Sequence, residues 1–229
     1  MRILHVITDL RLGGAETALV QLALATQALG HTVEVVALKQ SGPAARPLEK
    51  AGIPCLALGA SDGPGWRTAW SVLSLAANLK RSPPQLVHAW LASGCAAVKL
   101  AAPARIPRVM ALRVTDTPSP AVLALLRAAD GARTQWVAVS KGVQESWAPA
   151  LRMDARRITV IPNGVDVAAA VQPEHANARP LFLGRLAHQK GVDTLLESLV
   201  DGPFTVDVTG AGPDEGKLRE QATLSLIHI

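Results

Sequence analysis

Short apolar runs alternate with amphipathic stretches along most of the chain. Residues 3–7 are apolar with no helical period and stop at Thr8-Asp9, the pattern of a strand buried on both faces. Residues 15–29 then place Ala18, Leu19, Leu22 and Leu29 at helical spacing, and Gly30 predicts the helix end. Residues 32–38 alternate β-branched side chains as a second strand would. The pattern next predicts a short helix over 47–51, a strand over 53–58, a turn at 61–65 and an amphipathic helix over 66–80 that Pro83-Pro84 breaks. Strands follow over 86–89, 108–112, 136–139 and 158–161, with helices over 93–101, 119–129 and 141–147 and Ser140 placed to cap the last. Pro162-Asn163-Gly164 is a turn signal. Seven strands alternating with helices predict an α/β fold, a doubly wound parallel sheet with right-handed crossovers.

Residues 167–179 lose all period and read as a linker. A second α/β unit then starts, with a strand over 181–183, a helix over 192–200, a strand over 205–209, a loop over 210–213 and a helix over 214–221. The expected domains are 1–166 and 180–229, joined by 167–179. Two strands and two helices are about a third of a typical domain of ~150 residues, and they leave a parallel edge uncovered. The expectation is a chain cut inside its second domain; the alternative is a small βαβα accessory unit packed on the first.

Composition narrows the class. The 229 residues are 49% hydrophobic, 18% charged and 3% aromatic with no tyrosine, enough to bury a core. No run reaches the ~18 apolar residues of a membrane span, and the N-terminus turns polar too soon for a signal peptide. Cys55 and Cys95 sit in apolar contexts without metal-ligand spacing, so they read as buried free thiols of a cytoplasmic protein. Residues 1–170 hold 18 Lys and Arg against 10 Asp and Glu, whereas residues 171–229 hold 5 against 8. The basic first part suggests an anionic partner: a phosphorylated substrate, a membrane surface or nucleic acid. Nucleic acid fits least, because few aromatics are present to stack bases and no Lys/Arg run interleaves with them. Arg152, Arg156 and Arg157 form the densest cationic cluster, which reads first as solvated surface charge and second as a membrane contact.

Two loops carry candidate chemistry. Gly184 to Gly191 brackets Arg185 and Lys190 between a strand and a helix start. Unpaired helix N–H groups and two cations suit a diphosphate; on spacing alone, a loop of solvated cations is an equal reading. Gly13-Gly14 stands where the first strand meets the first helix and lets a backbone approach an anion, with a plain tight turn equally open. A dinucleotide fingerprint needs G-x-G-x-x-G and an acid ending the second strand. Here the glycines are adjacent and Glu34 lies mid-strand, against a nicotinamide dehydrogenase.

Taken in order, G-G-A-E at 13–16, V-H at 87–88, V-S-K-G-V at 139–143, V-I-P-N-G-V-D at 160–166, G-R-L-A-H-Q-K-G at 184–191 and G-A-G-P at 210–213 resemble the retaining, nucleotide-sugar-dependent glycosyltransferases of family 4. The resemblance spans nearly the whole chain and rests on the ordered set rather than on any one motif. It implies a GT-B architecture, with an N-terminal acceptor-side Rossmann-like domain and a partial C-terminal domain of the same kind that binds a nucleotide-diphosphate sugar. It implies that Gly13 and Gly14 meet the donor phosphate, that Arg185 and Lys190 clamp the same diphosphate and stabilise its departure, and that Gly210 and Gly212 line the donor side. The acceptor would be a glycan, a lipid-linked sugar or a small molecule, in polysaccharide or glycolipid synthesis. No cofactor and no metal are implied, and no His, Cys, Asp or Glu cluster has ligand spacing. The expected place is the cytoplasm, with peripheral contact at an anionic inner membrane face.

Three departures qualify this. Arg113 follows the strand Arg108–Leu112 where many members have a histidine; it suits an acceptor phosphate or anionic sugar, or equally a surface position. His88 is expected at the cleft end of its strand, where a hydrogen-bonded structural histidine is favoured over a catalytic one. The family's pair of glutamates late in the second domain has no counterpart in the sequence, so the 229 residues are expected to bind donor weakly or not at all and not to turn over. A non-catalytic binding module and a GT-B nucleotide-sugar epimerase are the alternatives; the latter needs a pair of cleft bases, which the sequence does not offer.

Overall fold

A computed structural model describes residues 1–63, 65–165, 179–199 and 205–224. The chain divides into two compact units, Met1–Val165 and Asp166–Ile229. The linker predicted over 167–179 and the end of the chain lie almost wholly outside the described residues.

The first unit is a seven-stranded sheet in which every paired strand runs parallel. Its strands are β1 (Arg2–Ile7), β2 (Thr32–Ala37), β3 (Cys55–Ala57), β4 (Leu86–Trp90), β5 (Arg108–Leu112), β6 (Thr134–Ala138) and β7 (Ile158–Val160), in the spatial order β3-β2-β1-β4-β5-β6-β7. The winding therefore reverses between β1 and β4. In such sheets ligands bind at the carboxyl ends of the strands flanking that reversal.

Helices cover both faces of this sheet. On one, α1 (Gly14–Ala28) and α2 (Ala45–Lys50) bury Leu19, Ala23 and Leu48 against Ile7, Val33, Val35 and Ala37. On the other, α3 (Trp66–Arg81), α4 (Leu91–Ala101), α5 (Pro120–Arg127) and α6 (Lys141–Leu151) bury Leu75, Leu79, Cys95, Leu126 and Trp147 against Leu4, Val6, Ala89, Met110 and Trp136. Ser140 caps α6 as expected, its Oγ accepting the Val143 N–H at 3.2 Å. Gly30 takes φ +83 just past the end of α1, a left-handed turn that a side chain would strain.

The sequence pattern misplaced some details. Leu22 and Leu29, expected on the packed face of α1, are 40% and 78% exposed, because α1 turns Leu19 and Ala23, with Ala15, Ala18, Val20 and Leu24 partly buried beside them, to the core and ends before Leu29. The third strand is shorter than predicted, with Cys55 only half-buried at this sheet edge. The fourth helix begins at Leu91 rather than 93 because Leu91 adopts φ +64, which turns the chain directly out of β4. Such a conformation costs a non-glycine residue about 1–3 kcal/mol.

The second unit pairs β8 (Leu181–Leu183) with β9 (Asp207–Thr209) in parallel. Its helices α7 (Val192–Ser198) and α8 (Glu215–Leu224) bury Val192, Leu196, Leu218 and Ala222 beside Leu186. No helix among the described residues is long and apolar enough to cross a membrane.

Candidate functional site

In the first unit the loop from Asp9 to Gly13 joins β1 to α1 at the reversal point. Asp9 shapes it: its carboxylate accepts the Arg11 backbone N–H at 3.1 Å and pairs with the Arg11 guanidinium at 2.8 Å. Burial pushes the Asp9 carboxyl up, but the hydrogen bonds and charge of Arg11 outweigh it and hold the group below its usual range. The segment after β2 buttresses the loop through Leu10 N–H to Gln40 carbonyl at 3.2 Å and Ala44 N–H to Leu10 carbonyl at 3.0 Å. A Cβ on Gly42 would stand 2.6 Å from the Leu10 carbonyl oxygen, so that buttress requires a glycine.

Gly13 and Gly14 differ. A Cβ on Gly13 would meet the end of the Glu16 side chain, which can swing away. A Cβ on Gly14 would meet nothing within 4 Å. The fold itself therefore makes no demand for glycine at the first residue of α1. What the missing side chain provides is open space over helix N–H groups, where an anion is favoured.

Arg113, open between an anion contact and a plain surface position, is neither isolated nor fully solvated. Its guanidinium lies 4.9 Å from the Trp90 ring centroid and donates to the Asn163 side-chain carbonyl. Trp90 in turn stacks on His88 at 4.6 Å and donates its indole N–H to His5 Nδ1 at 3.2 Å. The register of β1 on β4 sets His5 beside His88, with ring centroids 5.2 Å apart. His88 is thus the third of five residues of β4, not its cleft end. Burial lowers both imidazoles, His5 to about 4 and His88 well below its usual value, the latter helped by the neighbouring His5 and Arg113 charges. Both rings are neutral at neutral pH, and the Nε2 atom of each is buried without a partner.

His5, Trp90 and Gly42 escaped the sequence reading. The one available signal was a lone histidine in each of two apolar strand runs, which does not say that the two strands pair.

In the second unit the predicted cation loop follows β8. Leu186 is its buried anchor, and Gly191 takes φ +65 to start α7. The segment after β9 crosses this loop in close contact: Gly184 N–H donates to Thr209 carbonyl at 3.1 Å and Leu186 N–H to Ala211 carbonyl at 3.0 Å. A Cβ on Gly210 would fall 1.8 Å from the Gly184 carbonyl oxygen, and one on Gly212 would fall 2.0 Å from that of Leu186. The loop's own backbone therefore dictates both glycines. Arg185 and Lys190 are exposed, and among the described residues neither side chain has a hydrogen bond or a carboxylate partner, while the adjacent His188 faces Asp193 at 3.4 Å. A cleft of about 100 Å³ between this loop and α8 is lined by His188, Asp193, Asp214 and Lys217, well short of the ~300 Å³ of small-ligand pockets. No three His, Cys, Asp or Glu side chains among the described residues converge as a metal site would require.

Arg156 and Arg157, members of the densest arginine cluster, are paired with Asp154 and Asp130. Folding therefore removes much of that cluster's free charge.

The model of Glycosyltransferase Family 4 matches residues 12–169. Among solved structures, Anabaena Alr3699/HepE in complex with UDP is similar at TM-score 0.78 and 20% identity, over 99% of this chain and 67% of that one. The lipopolysaccharide outer core galactosyltransferase WaaB in its apo form is similar at 0.74 and 18%, over 99% and 66%. The UDP-GlcNAc 2-epimerase from Neisseria meningitidis bound to UDP-GlcNAc is similar at 0.58 and 15%, over 100% and 71%. The chain thus spans about two thirds of the length of these structures, and at such identities the likeness carries the fold alone. No curated protein sequence matches it significantly.

Proposed function

The chain belongs to glycosyltransferase family 4 and has a GT-B-type α/β fold, and on that premise we propose that it serves the transfer of a sugar from a nucleotide-diphosphate sugar to an acceptor, with retention of anomeric configuration. The observation that carries this reading is the loop of Arg185 and Lys190: two exposed cations without carboxylate partners among the described residues, on a backbone braced by Gly210 and Gly212. Cations left unpaired on a rigid loop are preorganised for an anion. Similar solved structures with UDP bound support a nucleoside diphosphate as that anion.

In this reading Arg185 holds the diphosphate through its planar fork and Lys190 adds a point charge. Both oppose the negative charge that grows on the diphosphate as the anomeric carbon–oxygen bond breaks. The acceptor hydroxyl attacks that carbon, and its proton passes to a departing phosphate oxygen. Gly14 gives a donor phosphate access to the N–H groups that open α1. Arg113 receives an acidic group of the acceptor. His88 acts as a positioning residue, through the Trp90 ring on which Arg113 lies.

Calorimetry with UDP and UDP-glucose tests the reading. Weak binding is the most these 229 residues are expected to show, and Arg185→Ala with Lys190→Ala should abolish it, since two charge-assisted contacts of roughly 1.5 kcal/mol each amount to about a hundredfold. Unchanged affinity in that double variant would overturn the assignment. Formation of an epimerised nucleotide sugar without acceptor would instead favour the epimerases that share the fold.

A further inference from the structure

Two of the chain's five tryptophans stand exposed on one helix, while the other three are buried. Trp66 and Trp70 are 78% and 64% exposed on α3, whereas Trp90, Trp136 and Trp147 are at 2% or less. Leu73, 63% exposed, follows at the next step of the same stripe, and Ala77 after it. Positions 66, 70, 73 and 77 recur on one face of a helix. The opposite face already holds Ser71, Leu75 and Leu79 buried. α3 is thus apolar on two sides, and the fold uses only one of them.

The charges around the outer side share one sign. α3 contains no carboxylate. Arg67 sits 6.0 Å from the Trp66 ring centroid, and Lys80 and Arg81 are exposed at the helix end. Asp62, the nearest acid before the helix, is paired with Lys39.

We propose that this face of α3 docks on an anionic lipid bilayer. Trp66, Trp70 and Leu73 enter the interfacial layer, and Arg67, Lys80 and Arg81 meet lipid phosphates. Indole rings favour that layer because they are apolar with one N–H donor, and a cationic rim adds attraction to anionic headgroups. A second copy of the chain fits less well. A symmetric contact would bring the cations of one copy against those of the other. The arginine cluster at 152–157 also fits less well, since Asp154 and Asp130 hold two of its members.

The test uses the 229-residue chain with vesicles of phosphatidylcholine, with and without phosphatidylglycerol. Co-sedimentation with the anionic vesicles, a blue shift of tryptophan emission and weakening by salt are expected. Trp66→Ala with Trp70→Ala should cut vesicle affinity about tenfold or more, with the far-ultraviolet dichroism unchanged because both side chains are exposed. Absence of binding to anionic vesicles at low salt, equal binding to neutral ones, or full affinity in the double variant would overturn the proposal. Self-association of the parent chain without vesicle binding, abolished by the same variant, would assign the face to a second copy. No arm contains a nucleotide, so the outcome is separate from the donor reading.

Discussion

Trp90 donates its indole N–H to Nδ1 of His5 across a separation of 85 residues, joining the two strands at which the sheet reverses. This bond fixes the His5 proton on Nε2, where it has no partner. Charging His5 would bury a cation, and charging His88 would bury one beside His5 and Arg113, so both imidazoles stay neutral.

That arrangement predicts a specific acid sensitivity. The His5 imidazole has its pKa lowered by burial from 6.5 to about 4. The unfolded chain therefore takes up a proton near pH 6.5 that the folded chain refuses until about pH 4. Stability is level above that window and falls as the pH drops through it, by roughly 3 kcal/mol for His5, with His88 acting in the same direction. Urea unfolding at neutral pH and at pH 4.5 should show the loss, and His88→Leu should reduce it. A flat profile would contradict the neutral pair.

Gly14 offers a separation of folding from binding. Since a Cβ at that position would have no atom within 4 Å, Gly14→Ala should leave stability unchanged or raise it by up to ~1 kcal/mol through better helix propensity. The same variant should weaken UDP-glucose binding several-fold by crowding the phosphate. Thermal melts and calorimetry on one preparation check both halves.

Gly210 and Gly212 behave oppositely. An added methyl would collide with the backbone carbonyls of Gly184 and Leu186, so Gly212→Ala should destabilise the second unit by about 1–3 kcal/mol. Hydrogen exchange should report this in Leu181–Leu183 and α8 while β1 and β4 keep their protection.

Arg113→Ala should remove the cation over Trp90 and leave Asn163 without its donor. An expected loss of about 0.5–2 kcal/mol is readable by urea unfolding. Lysine at 113 should recover only part of it, because it lacks the planar face that stacks on the indole.

Much of this architecture was legible from local pattern. The period of apolar positions distinguishes a buried strand from a one-sided helix, so seven strands, the bounds of Arg108–Leu112 and Leu181–Leu183, and the Ser140 cap could be read residue by residue. The cation pair and the glycine motifs were equally visible as types and spacings. Their division of labour was not: Gly14 borders open space, whereas Gly210 and Gly212 are dictated by a crossing backbone.

Two things were decided by tertiary structure alone. One is the chain of contacts from His5 through Trp90 to Arg113 and Asn163, which exists because strand register brings distant residues level. The other is which apolar side of α3 is buried. A helical period reveals that a face is apolar, but burial depends on what packs against it. In α3 the sheet takes Leu75 and Leu79 and leaves Trp66 and Trp70 in water.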